Sequence, residues 1–64
     1  MNDNQIELRV TLDPVRAQAL AQFAKRSIFD TFLDRAISEE EAYAMRDALN
    51  AVRKALAAAG FAPR

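Results

Sequence analysis

SEEEAYAMRDALNAVRKALAAAG, residues 38–60, carries the marks of one long helix from start to stop. Ser38 has the hydroxyl an N-cap needs to accept a backbone N–H, and Glu41, three residues on, can reach back to the Ser38 amide in a capping box. Beyond the cap, Ala42, Met45, Leu49, Val52, Leu56 and Ala59 recur at spacings of 3, 4, 3, 4 and 3, which places them in one stripe along an α-helix. Beside it runs a line of small residues, Ala44, Ala48, Ala51, Ala55 and Ala58, against which a second backbone could approach closely. At the far end Gly60 suits the left-handed C′ position, Phe61 can fold back onto Leu56, and Pro63 blocks continuation.

Immediately upstream, Ser27 and Asp30 form a second S-x-x-D cap. Phe29, Phe32, Leu33, Ala36 and Ile37 follow at i, i+3, i+4, i+7 and i+8. Only Ser38 separates this short helix from the long one, so residues 28–59 are either one kinked helix or two, and the capping box favours a break. Further back, Asp13 and Pro14 are an N-cap and its N1 proline, opening a helix to about Arg26 with Ala17, Leu20, Phe23 and Ala24 on its buried face. Gln5–Leu12 alternates: Ile6, Leu8, Val10 and Leu12 on one side, Gln5, Glu7, Arg9 and Thr11 on the other, the pattern of a half-buried strand. A lone strand has unpaired backbone on both edges, and its own copy across a twofold axis is the nearest partner.

The expected fold is mainly α with one N-terminal β-strand, in the order β-α-α-α. It forms a single small domain, 1–64, with a strand at 5–12 and helices at about 14–26, 28–37 and 39–59. Residues 1–4 are polar and expected to fray. With fourteen alanines the bulky core is thin. A chain of 64 residues without cysteine or histidine has neither disulfides nor a zinc site to reinforce it, so a strand-paired homodimer is expected. Ile6, Leu8, Val10, Met45, Leu49, Val52 and Leu56 are the candidate dimer or core residues.

Those absences also bear on chemistry. Without histidine or cysteine, Ser-His-Asp, Cys-His and histidine acid–base arrangements are excluded, and a single glycine leaves no glycine-rich phosphate loop. Asp30, Asp34 and the run Glu39–Glu41 are carboxylates without the loop oxygens a hard cation requires. No catalytic residue, metal or cofactor is therefore expected. No apolar run approaches a membrane span, and Met1–Gln5 does not resemble a secretory signal, which together point to the cytoplasm and no membrane partner. Nine basic and nine acidic residues give a formal net charge of +0, so there is no global attraction to nucleic acid. The acids gather in 28–41 and the bases in 42–64, a segregation that the helix dipole largely accounts for.

Two readings of function remain, both by binding. Residues 39–64, EEEAYAMRDALNAVRKALAAAGFAPR, together with FAKR at 23–26, resemble small uncharacterised proteins of proteobacterial phages and mobile elements. That resemblance implies an enzyme-free protein that inhibits or modulates a host protein complex, in the manner of anti-CRISPR and other anti-defence proteins, or represses its own operon. Tyr43, Arg46, Asn50, Arg53 and Lys54, on the polar face of the long helix, are the candidate contact residues, tyrosine and arginine being types enriched at binding hot spots. Residues 5–37, a strand followed by two helices, resemble ribbon-helix-helix DNA-binding regulators. This second resemblance implies that Gln5, Glu7, Arg9 and Thr11 meet bases and that the amides near Ser27 and Ile28 meet phosphate.

Overall fold

The computed structural model describes residues 4–61 and contains three helices, α1 (Pro14–Arg26), α2 (Phe29–Arg35) and α3 (Glu39–Ala58). Each boundary has a local cause. At the start of α1 the Asp13 carboxylate accepts from the Arg16 amide at 2.8 Å and pairs with the Arg16 guanidinium, while Pro14 fixes the first turn. The helix ends at Ser27, whose amide donates to the Phe23 carbonyl at 3.0 Å and whose hydroxyl donates to the same oxygen at 2.7 Å.

Ser27 is therefore a C-terminal cap of α1 and not the N-cap of the next helix. The N-cap of α2 is Ile28, whose amide donates to Thr31 Oγ1 at 3.4 Å. A serine between two helices can serve either one, and here the α1 carbonyl takes it. The second helix is also shorter than its apolar spacing suggests. Ala36 turns to an extended ψ of 151°, and α2 and α3 are two separate helices.

For α3, Ser38 caps as expected, its Oγ accepting from the Glu41 amide at 3.1 Å. The return bond is displaced by one residue, because the Glu41 carboxylate accepts from the Ile37 amide at 3.0 Å instead of from Ser38. At the other end Gly60 adopts φ 96°, the Phe61 amide donates to the Leu56 carbonyl at 2.8 Å and the Gly60 amide to that of Ala57 at 3.0 Å. This is a complete Schellman motif. Pro63, expected to block the helix, and Met1–Asp3, expected to fray, lie outside the described residues.

The expected N-terminal strand is absent: no β-strand occurs among the described residues, and 5–12 has no regular secondary structure. Ile6, Leu8 and Val10 are 86, 80 and 74% exposed. Alternation shows which side chains share an edge, but a strand also needs a second backbone to accept its hydrogen bonds, and no other segment among the described residues presents one.

The core also differs from the expected one. Among the described residues the buried ones are Ala17, Ala21 and Ala24 of α1 and Ala42 of α3, with no large side chain fully buried. α3 packs against both α1 and α2. Small side chains allow close helix approach, so the alanines do serve as contacts, but through Ala42. The line Ala44, Ala48, Ala51, Ala55 and Ala58 faces solvent. Leu20, Phe29, Phe32, Met45, Leu49 and Leu56 are half-buried, and Phe23, Leu33, Ile37 and Val52 are exposed. Three helices cannot surround so many large residues. The radius of gyration is 12.9 Å, against about 10.7 Å for a compact chain of this length.

Candidate functional site

At 3.6 residues per turn, Tyr43, Arg46, Asn50, Arg53 and Lys54 fall within an arc of about 100° on α3, and all five are exposed. The N-terminal part of this face is pre-arranged. The Tyr43 ring packs on Phe29 of α2 with centroids 4.7 Å apart and planes tilted by 35°. The Arg46 guanidinium lies 5.0 Å from the Tyr43 centroid, within cation–π range. Asp47 holds the same guanidinium from its other side, Oδ1 accepting from Nε at 3.2 Å and from Nη2 at 3.0 Å. One turn or more further along, Arg53 and Lys54 form no ion pair among the described residues. The face thus runs from a braced aromatic–cation pair to two cations with no ion pair among the described residues.

Phe29 and Asp47 contact this face, and sequence reasoning does not assign them to it. Asp47 is the neighbour of Arg46, so its contact has a signal in the chain. Phe29 has none beyond its place on the apolar side of α2, because its meeting with Tyr43 depends on how α2 crosses α3.

The residues expected to meet DNA do not assemble into one site. Gln5, Glu7, Arg9 and Thr11 are all exposed, and Arg9 Nε lies 3.6 Å from Glu7 Oε1, so the lone cation of this edge is answered by its neighbour. The phosphate position is not formed: the Ser27 amide is given to Phe23 and the Ile28 amide to Thr31. Of the acidic corner, Asp30, Asp34, Glu39 and Glu40 are exposed, while Glu41 is half-buried and caps Ile37. Among the described residues no three carboxylates gather to hold a metal ion, and no helix is long and apolar enough to cross a membrane.

On another side of α3 lies an open groove of about 520 Å³. Its walls are Phe23 of α1, Phe32 of α2 and Met45, Ala48, Leu49 and Val52 of α3, with Thr31 and Arg35 as its polar members. Met45, Leu49 and Val52 are the large stripe read from the sequence. They line this groove without being enclosed, so as core residues they are only partly realised.

The molecule is a small, mainly α-helical protein whose large side chains lie mostly at its surface. Its chain belongs to a family of unknown function, DUF7706, whose model matches residues 1–64. No curated protein and no solved structure matches it.

Proposed function

We propose that this protein is a non-enzymatic binding protein encoded by a phage or mobile element, acting in the cytoplasm as a homodimer that inhibits or modulates a host protein complex. The observation that carries this reading is the exposed row Tyr43, Arg46, Asn50, Arg53 and Lys54, braced at one end by Phe29 and Asp47. Bracing lowers the conformational entropy lost on binding, and arginine and tyrosine are the side chains that most often dominate an interface. Arg53 and Lys54, which form no ion pair among the described residues, suit an acidic protein surface, which they would also help to find by electrostatic steering.

A second reading, a ribbon-helix-helix-like dimeric regulator, is favoured by one observation: Gln5, Glu7, Arg9 and Thr11 of the N-terminal segment are all exposed. Against it stand the zero net charge and the Glu7–Arg9 pair, which together weaken the counterion-release contribution to DNA affinity. A gel shift on the DNA upstream of the reading frame separates the two. Specific retardation that collapses with rising salt supports the regulator; its absence, with capture of a host protein that depends on Arg46 and Arg53, supports the inhibitor.

A further inference from the structure

The chain exposes two apolar surfaces. One is the alternating edge Ile6, Leu8, Val10 of the N-terminal arm, the other the groove bounded by Phe23, Phe32, Met45, Leu49 and Val52. We infer that in solution the arm of one copy lies in the groove of a second copy, and reciprocally, so that the dimer is built by exchange of residues 5–12.

The geometry favours a second copy over the arm's own groove. Asp13 is extended at φ −71° and ψ 164°, its side chain is tied to the Arg16 amide at 2.8 Å, and Pro14 fixes the next residue. The arm's apolar edge lies in water instead of on the groove, Ile6, Leu8 and Val10 being 86, 80 and 74% exposed. Eight extended residues reach about 26 Å, more than the 14 Å short dimension of the molecule. Exchange of an element between identical chains fills both surfaces twice under one symmetry operation.

The areas agree. The chain exposes 5584 Å², whereas a compact monomer of its mass exposes about 4,100 Å². The surplus exceeds the roughly 800 Å² per partner that a standard interface buries. No charge has to be desolvated on the arm's docking edge, because Glu7 and Arg9 lie on the other edge and pair with each other; on the groove side Arg35 is a charged member of the lining, and it is exposed. Nor does docking cover the candidate contact face, since Met45, Leu49 and Val52 lie outside the arc of Tyr43 to Lys54.

The absence of native cysteine gives a clean test. Leu8→Cys and Val52→Cys both alter exposed positions and leave the buried alanines untouched. The two single variants are mixed, allowed to exchange, and treated with a short bismaleimide; Ile6→Cys and Val10→Cys in place of Leu8→Cys cover the adjacent registers. The expected result is sedimentation at twice the 7.1 kDa chain mass and a cross-linked pair in the mixture but in neither variant alone. Three results overturn the inference: sedimentation as a folded monomer at micromolar concentration, efficient cross-linking of Leu8→Cys to itself, which means arm–arm pairing, or a chain carrying both changes that cross-links within one molecule at every dilution.

Discussion

The Arg46 guanidinium lies 5.0 Å from the centre of the Tyr43 ring, and that ring packs at 4.7 Å on Phe29, so one tyrosine joins α2 to a cation on α3. The buried residues among those described are all alanines, and this contact between half-exposed aromatics helps to fix α2 against α3. Tyr43→Ala removes both contacts and is expected to cost about 1–2.5 kcal/mol, the sum of an aromatic pair and an exposed cation–π contact. Tyr43→Phe keeps the ring and should retain most of that stability. Thermal melts followed by circular dichroism distinguish them, each kcal/mol shifting the midpoint by about 4–8 °C in a domain of this size.

The helix ends give a second set of expectations. Ser38→Ala leaves the Glu41 amide without its acceptor and should lower stability by about 0.5–2 kcal/mol. Gly60→Ala has nothing within 4 Å of the new methyl, so its cost comes from the positive φ alone, about 1–2 kcal/mol. Equal midpoints for Gly60→Ala and the unaltered protein would mean that the Schellman turn frays in solution.

Burial of Ala42 makes a sharper test of the packing. Ala42→Leu inserts bulk at a position with 0% exposure and should destabilise by about 1–3 kcal/mol or more through overpacking. Ala51→Leu, an exposed position on the same helix, should change stability by less than about 0.5 kcal/mol. The reverse order would show that the wrong alanines have been assigned to the helix contacts.

Much of this fold is written in local signals. Asp13–Pro14, Ser38 and Gly60 each act through atoms within four residues, and each behaves as its chemistry requires. Ser27 misleads because its hydroxyl has acceptors on one side and donors on the other, and the choice depends on the geometry of the turn. The strand at 5–12 misleads for a different reason: side-chain alternation is the same in a paired strand and in an extended arm, and pairing depends on a backbone elsewhere. Periodicity correctly places Met45, Leu49 and Val52 on one face, but burial also needs enough chain to cover that face. For the candidate contact surface, exposure of Tyr43 through Lys54 follows from the helix pattern, whereas the support from Phe29 is a tertiary contact with no sequence signature.

The central claim is that the Tyr43–Lys54 face of α3 binds a protein partner. Its most direct test is the affinity of a captured host protein for the unaltered chain, the Arg46→Ala/Arg53→Ala double variant and Arg9→Ala. Removing two hot-spot arginines should weaken binding by about tenfold or more, equal to at least about 1.4 kcal/mol, with the helical spectrum preserved. Arg9→Ala, on the arm's solvent edge, should bind as the unaltered chain does. The account is contradicted if the double variant binds undiminished while Arg9→Ala alone abolishes specific retardation of DNA.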